Sequence, residues 1–111
     1  MHICNYTNGV TGLRFEWDEA KNLANQRKHG VSFEEASQLF LDPLFVSVKD
    51  RIEAGEQRWR TYGEGDGCLL MMVAHTVTEE DAAGKPIEVI RIISARAATR
   101  KERQRYEEEN S

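Results

Sequence analysis

The sequence lacks any apolar stretch long enough to cross a membrane. Its longest uninterrupted apolar run, residues 68–74, has seven residues, whereas a membrane-spanning helix needs about 18. The first twelve residues have neither a basic start nor an apolar core, both of which a secretory signal requires. We therefore expect a cytoplasmic protein without a membrane segment.

Cysteine and histidine are also scarce. The two cysteines, Cys4 and Cys68, lie far apart, and Cys68 stands in the apolar run, where a buried free thiol is the usual outcome. No CxxC or HxxxH pair brings two ligands to the spacing typical of a zinc site. The sequence therefore indicates no disulfide framework, no metal site and no cofactor.

Positive charge is in the minority, since the formal net charge is −4. An acidic balance disfavours an RNA partner because Lys and Arg drive phosphate binding. The distribution of charge along the sequence favours an RNA partner, because six basic residues and a single acid, Glu102, fall between Arg91 and Arg105. This segment is typical of a local phosphate-binding surface, and a solvated charged helix is the alternative.

Enough apolar residues remain for one core. With 111 residues, of which 40% are hydrophobic, the chain has the size of a single domain. Residues 1–12 contain no Lys, Arg, Asp or Glu but two glycines and two asparagines, a composition that predicts a flexible N-terminal extension. The domain is predicted to span residues 13–111.

The start of this domain has the pattern of a strand followed by a helix. Residues 13–17 alternate apolar and charged side chains, which indicates a half-buried strand. Asp18 can cap a helix over residues 19–29, and Gly30 can end it. Ala20, Leu23, Ala24 and Arg27 fall on one face of this helix.

Two capping boxes mark the remaining helices. Ser32 and Glu35 have the spacing of a box at the start of a second helix, which Pro43 prevents from continuing. Thr99 and Glu102 form the second box. This box begins a last, basic helix that reaches nearly to the end of the sequence.

Between these helices the pattern changes to extended segments. Four strands are predicted, over residues 44–48, 57–62, 68–76 and 87–95. A glycine-rich turn over 63–67 and a longer polar loop over 78–86 connect the last three. All residues from 69 to 74 are apolar, so a strand formed by them would be apolar on both faces. This favours a central strand, and a short buried helix is the alternative.

The order of these elements predicts an α+β fold. A small antiparallel sheet of four to five strands is expected to have the two N-terminal helices packed on it, with the basic helix at the C-terminus. Such a fold is compatible with several functions, so function has to be argued from particular residues.

Several separated blocks of sequence resemble the BrnT family of ribonuclease toxins. The blocks are Phe15–Asp18, Lys28–Ala36, Asp42–Pro43 with Arg58 and Gly63, Arg91–Arg96 and Ala98–Arg100. The resemblance covers about residues 14–107. It implies a RelE-like fold and the toxin component of a type II toxin–antitoxin system.

The resemblance also implies an activity and two partners. The activity is that of a metal-independent endoribonuclease that cleaves RNA and inhibits translation. The partners are the RNA substrate and a BrnA-like antitoxin, which neutralises the toxin and binds operator DNA through a ribbon-helix-helix domain. Two alternatives stay open: a non-catalytic partner- or nucleic-acid-binding regulatory module on the same fold, and a toxin that has lost turnover.

Arginines are the candidates for the chemistry. Metal-free RNA cleavage needs deprotonation of the 2′-hydroxyl, stabilisation of the phosphorane charge and protonation of the leaving 5′-oxygen. A guanidinium group suits the second task because it makes two charge-assisted bonds to phosphate oxygens. We predict Arg58, Arg91 and Arg96 as catalytic residues.

Strand alternation predicts where these arginines lie. Arg58, Arg60 and Tyr62 share one face, which makes the latter two predicted RNA-binding residues, and a solvated outer sheet face is the alternative. Arg91 falls in an otherwise apolar row, where a snorkelling side chain or a buried salt bridge would also explain it. Arg96 is predicted on the opposite face of this strand from Arg91. It precedes the last helix, whose N-terminal amides favour the binding of an anion.

His29 and His75 are the predicted proton-transfer residues, because imidazole titrates near neutral pH. His29 lies at a helix C-terminus, where it can serve as a structural cap instead, and His75 can be a hydrogen-bonded strand residue without a catalytic role. One or both can act as acid or base. The last helix supplies the remaining predicted RNA-binding residues, which are Arg100, Lys101 and Arg103.

Overall fold

The computed structural model describes residues 3–8, 13–65 and 69–110. These residues form one six-stranded sheet, with strand order β1-β2-β6-β5-β4-β3, and helices on both of its faces. The elements are β1 (Ile3–Asn8), β2 (Leu13–Asp18), α1 (Glu19–His29), α2 (Phe33–Ser37) with a following 3-10 turn (Gln38–Leu41), β3 (Val46–Glu53), β4 (Glu56–Glu64), β5 (Leu70–Ala82), β6 (Lys85–Ala97) and α3 (Arg100–Glu109).

The sheet is mostly antiparallel. Strands β3 to β6 pair antiparallel with their neighbours in the sequence, as short connections require. β2 joins β6 as a parallel neighbour, because the helices and three further strands separate the two along the chain. The α+β fold with two N-terminal helices and a C-terminal helix is therefore confirmed, with one strand more than predicted.

The additional strand is β1, at one edge of the sheet. Residues 3–8 pair antiparallel with β2, from Ile3 opposite Asp18 to Asn8 opposite Leu13. The prediction of a flexible extension is therefore corrected for these residues, because the otherwise unpaired edge of β2 offers backbone groups with which they can form hydrogen bonds. Residues 1, 2 and 9–12 lie outside the described residues, and the domain boundary at residue 13 stays a prediction.

The predicted helix ends are confirmed. Helix α1 has the predicted bounds, with the Asp18 side chain accepting a hydrogen bond from the first turn and Gly30 in the left-handed region at φ 72°. Both capping boxes are formed, at Ser32 for α2 and at Thr99 for α3. These ends depend on local hydrogen bonds, which a sequence pattern describes well.

The face of α1 that Ala20, Leu23, Ala24 and Arg27 share is exposed. Leu23 is 46% exposed, and the buried residues of the helix are Asn22 and Asn25. The Asn25 amide donates hydrogen bonds to the backbone oxygens of Val31 and Ala95, each at 2.8 Å. Asparagine can be buried here because its polar atoms are hydrogen-bonded, whereas an apolar periodicity does not include it.

The predicted polar loop over residues 78–86 is also wrong. β5 and β6 remain paired out to Ala82 opposite Lys85, and only Ala83 and Gly84 form the turn, with φ values of 53° and 79°. Two successive residues with positive φ match a type I′ hairpin turn, whose twist fits that of the strands. The polar residues extend the hairpin instead of forming a loop. The strand over 69–74 is confirmed against the helical alternative, whereas part of the predicted 63–67 turn lies outside the described residues.

The two faces of the sheet have separate cores. Helices α1 and α2 cover one face, called the core face here, whose cluster includes Phe15, Trp17, Phe33, Leu39, Phe40, Val73 and Ile92. Helix α3 covers part of the opposite face, where the cluster consists of Tyr62, Leu70, Met72 and Tyr106. No helix in the described chain is long and apolar enough to span a membrane.

Candidate functional site

Arg58 and Arg60 on β4 lie on the sheet face that α3 covers in part. Their neighbour Thr61 is completely buried and pairs with Val73 of the core face. Tyr62 belongs to the cluster beneath α3. Because side chains alternate along a strand, Arg58 and Arg60 project to the same side as Tyr62, as predicted.

A β-bulge places Arg91 and Arg96 on this face as well. Arg91 pairs with Thr76 and Ile92 with His75, but the next pair is Ser94 with Ala74. Ile93 is therefore an extra residue, and it reverses the alternation of β6. The two arginines, predicted on opposite faces, thus share one face. We call the surface formed by Arg58, Arg60, Arg91 and Arg96 the arginine face.

Arg96 is held by a carboxylate from α3. Its Nη1 and Nη2 donate to Oε1 and Oε2 of Glu102 at 2.7 and 3.1 Å. The hydrogen bonds to Glu102 raise the pKa of Arg96. In the strand register Tyr62 and Arg96 lie on opposite sides of Met72 of β5, and Arg60 is two residues from Tyr62 on the same face.

Arg60 has a partner at the other side of the site. Its Nε donates to Oδ2 of Asp50 on β3 at 3.1 Å. The hydrogen bond to Asp50 raises the pKa of Arg60, so its charge is fixed. The same bond to Arg60 lowers the pKa of the Asp50 carboxyl.

Arg58 is the least satisfied arginine of this face. Its Nη2 lies 3.7 Å from Oε2 of Glu53, which is too long for a hydrogen bond. Its Nε is shielded from solvent and has no hydrogen-bond partner among the described residues. A buried donor without an acceptor is rare in folded proteins, and an oxygen atom of a bound ligand would satisfy it.

Arg91 lies on β6 between β5 and β2. It is half-buried, with Thr76 of β5 on one side and Glu16 of β2 on the other in the strand register. Arg14 was not predicted for the site. It lies two residues before Glu16 on β2, and so on the same face, and forms an ion pair with Glu80 at 2.6 Å.

A cleft of about 620 Å³ lies between β4 and α3. Arg60 and Tyr62 line it from the sheet, and Lys101, Glu102 and Arg105 are among the residues that line it from α3. Tyr62 itself is only 6% exposed. The cleft brings cations from two elements around one tyrosine.

The predicted residues of α3 divide into two groups. Lys101 lines the cleft, whereas Arg100 and Arg103 are exposed and do not. Arg105, which was not predicted as a site residue, does line it. The helical spacing of four residues from Lys101 to Arg105 is a signal that identifies this pair in the sequence.

His29 is not brought to the arginine face. It is exposed at the last position of α1. Val31 and Phe33, which follow immediately, belong to the core-face cluster. The structure therefore places His29 on the opposite side of the sheet.

His75 is buried within the core face. It is 2% exposed, its Nε2 lies 2.6 Å from the Thr61 hydroxyl, and its ring packs edge-on against Phe40. Burial lowers the pKa of His75 from 6.5 to about 4. It is therefore neutral at pH 7 and remote from the arginine face.

The described residues contain no cluster of three or more His, Cys, Asp or Glu side chains that could hold a metal ion. The polar groups that converge at the cleft are guanidinium, ammonium, carboxylate and phenol groups. Fold and cleft together define a small α+β protein whose cationic surface suits a phosphate-bearing ligand.

The family model for "Ribonuclease toxin, BrnT, of type II toxin-antitoxin system" matches residues 17–102. This match spans most of the sequence, and the chain belongs to the BrnT family of ribonuclease toxins. Membership implies an RNA substrate and an antitoxin partner. The family predicted from the separated sequence blocks is thereby confirmed.

A solved structure is similar as well. The crystal structure of the Brucella abortus ribonuclease toxin BrnT is 25% identical in sequence, with 76% of this chain and 94% of that chain covered and a TM-score of 0.49. A comparison with curated proteins finds no match. The family assignment therefore rests on the family model.

Proposed function

We propose that this toxin is a metal-independent endoribonuclease that binds its RNA substrate on the arginine face and in the adjoining cleft. The observation that carries the proposal is the shared face of Arg58, Arg60, Arg91 and Arg96, which the bulge in β6 produces. Arginines on strands that flank β5 can contact neighbouring phosphate oxygens of one RNA strand.

The arginines suit the stabilisation of a phosphorane. Guanidinium groups stay protonated in proteins, so they supply fixed positive charge where the reaction develops negative charge. Attack by the 2′-hydroxyl would leave a 2′,3′-cyclic phosphate and a 5′-hydroxyl. Because neither His29 nor His75 lies on this face, we assign proton transfer to cleft side chains. Tyr62 is the best placed of these, because it lines the cleft with Arg60 and lies opposite Arg96 across Met72 of β5.

The cellular role follows from the family. RNA cleavage in the cytoplasm would slow translation, and a BrnA-like antitoxin with a ribbon-helix-helix domain would neutralise the toxin and bring it to operator DNA. The cations that line the cleft, Arg60, Lys101 and Arg105, offer binding groups for an acidic antitoxin segment as well as for RNA. Competition for these cations would explain neutralisation without a second inhibitory site.

The proposal is tested by incubating end-labelled RNA with the purified protein in EDTA. Cleavage products that end in a cyclic phosphate are expected. The double variant Arg58→Gln/Arg60→Gln should cleave about 100-fold more slowly or worse, since two charge-stabilising donors are lost. Arg27→Gln is the control for the loss of an arginine elsewhere on the protein, because Arg27 is exposed on α1 at the opposite side of the sheet.

The outcomes separate the enzyme from its alternatives. A shifted RNA band without new ends would indicate a non-catalytic binding module. Full activity of the Arg58→Gln/Arg60→Gln variant would place the site elsewhere. Growth arrest by the wild-type protein, and its relief by the same double variant but not by Arg27→Gln, would connect the cleavage to toxicity in cells.

A further inference from the structure

We propose that Glu102 is a positioning residue for RNA cleavage, which holds the Arg96 guanidinium so that its Nε edge faces the scissile phosphate. This inference rests on the proposed function and assigns a role to a carboxylate inside a cationic site. Glu102 completes the capping box of α3, but its negative charge by itself would weaken the attraction for RNA.

The hydrogen bonds of Arg96 leave one edge of the guanidinium available. Nη1 donates to Oε1 of Glu102 and to the backbone oxygen of Ala97 at 3.2 Å, and Nη2 donates to Oε2 of Glu102. Among the described residues no hydrogen bond involves Nε. The Nε–H and the second Nη2–H project from the same edge, which matches two oxygens of a phosphate group.

Glu102 is itself fixed by the start of α3. Its Oε1 accepts a hydrogen bond from the Thr99 amide at 2.8 Å, and its own amide donates to the Thr99 hydroxyl at 3.2 Å. The hydrogen bonds to Arg96 lower the pKa of Glu102 to about 2, so the carboxylate stays ionised at every pH at which the enzyme would work. One carboxylate thus connects the helix cap to the site arginine.

The rest of α3 secures this arrangement. Tyr106 donates a hydrogen bond of 2.6 Å to Oδ2 of Asp42, and that oxygen also accepts the amide of Glu64 on β4. Helix α3 is therefore fastened to the sheet beyond the cap. Since both Glu102 and its helix are anchored, the geometry favours a support for Arg96 over a removable mask.

The test replaces Glu102 by glutamine. In Glu102→Gln the amide oxygen can still accept the Thr99 bond, as glutamine does in many capping boxes, but the charged two-point contact with Arg96 is lost. The matched control is Glu107→Gln, which removes the same charge from an exposed position of α3 outside the cleft. A thermal melt checks that both variants keep their fold.

The expected result is a loss in kcat with little change in KM. Misplacing a catalytic group by about 1 Å costs on the order of 100-fold, so kcat of Glu102→Gln should fall roughly 10- to 100-fold while Glu107→Gln stays at the wild-type value. Unchanged or increased kcat in Glu102→Gln would overturn the proposal, and an increase would show that Glu102 masks Arg96.

A second measurement does not depend on activity. In NMR spectra the Nη–Hη signals of Arg96 should be resolved and sharp in the wild-type protein, because the bonds from Nη1 and Nη2 to Glu102 slow rotation about the Cζ–Nη bonds, and they should broaden in Glu102→Gln but not in Glu107→Gln. Equally sharp signals in all three proteins would overturn the positioning role. If the wild-type protein does not cleave RNA, the proposed function fails, whereas these signals still decide whether Glu102 holds Arg96.

Discussion

The charge of a single side chain can depend on its burial, as it does for His75. Above pH 6.5 the imidazole is neutral in both the folded and the unfolded chain, so it contributes no pH dependence. Burial lowers the pKa of the folded state to about 4, so between pH 6.5 and 4 the unfolded chain binds a proton that the folded protein does not. Stability must therefore decrease as the pH falls through this window.

We expect the free energy of unfolding to fall by about 2 kcal/mol between pH 7 and pH 5 on account of His75. Urea denaturation at the two pH values measures it. The variant His75→Gln should lose most of this difference, although it is less stable at pH 7, whereas His29→Gln at the exposed end of α1 should keep it. Equal pH dependence of the wild type and His75→Gln would contradict the buried, neutral imidazole.

The predicted site residues show what a sequence pattern can identify at this scale. Strand alternation placed Arg58, Arg60 and Tyr62 together correctly, because β4 is regular over that segment. It predicted Arg91 and Arg96 on opposite faces. A bulge depends on how two strands pair, so it cannot be recognised from the alternation of residues within a single strand. The catalytic roles of these residues remain predictions.

At the scale of the elements, the two tight hairpins share an unusual feature. Ala54 and Ala83 occupy the first turn position with φ values of 52° and 53°, each followed by a glycine. A non-glycine residue in the left-handed region costs about 1 kcal/mol, but asparagine is tolerated there and is preferred in type I′ turns. These alanines are therefore stabilisation sites.

We expect Ala83→Asn to stabilise the protein by roughly 0.5 to 1 kcal/mol, and Ala54→Asn to do the same. Thermal melts and urea denaturation measure the gain. Ala24→Asn serves as the control, because Ala24 is exposed on α1, where asparagine lowers helix propensity. A loss of stability in both turn variants would argue against the type I′ geometry.

Elements that depend on local hydrogen bonds were predictable, and those that depend on distant partners were not. The caps at Asp18, Ser32 and Thr99 all form as the sequence indicates. Strand β1 requires the free edge of β2, and the buried amide of Asn25 requires the backbone of Ala95, 70 residues away. Neither partner can be read from the nearby sequence.

For the whole molecule, the distribution of charge matters more than its sum. The net charge is −4, yet Lys101 and Arg105 of α3 line a cleft beside the arginines of two strands. The ion pairs of Arg60 and Arg96 with Asp50 and Glu102 fix these cations and reduce their net field. RNA binding should therefore be local, moderate in strength and sensitive to salt.

This balance predicts a particular salt dependence. If Arg58, Arg60 and Arg96 each neutralise one phosphate of a single strand, the logarithm of the binding constant should fall against the logarithm of salt concentration with a slope of about −2. Affinity would then drop roughly 20-fold between 50 and 200 mM salt. Fluorescence anisotropy with a labelled, uncleavable 2′-deoxy oligonucleotide measures the slope directly.

The variants assign the slope to the arginine face. Arg60→Gln should make it shallower by about 0.7, because one phosphate contact is lost. Arg27→Gln removes the same charge from the opposite side of the sheet and should leave the slope unchanged, although it changes the net charge of the protein equally. If both variants shift the slope alike, the attraction comes from the overall charge and the arginine face is not the binding surface. If only Arg60→Gln changes the slope, this acidic protein binds RNA through the local charge of one face of its sheet.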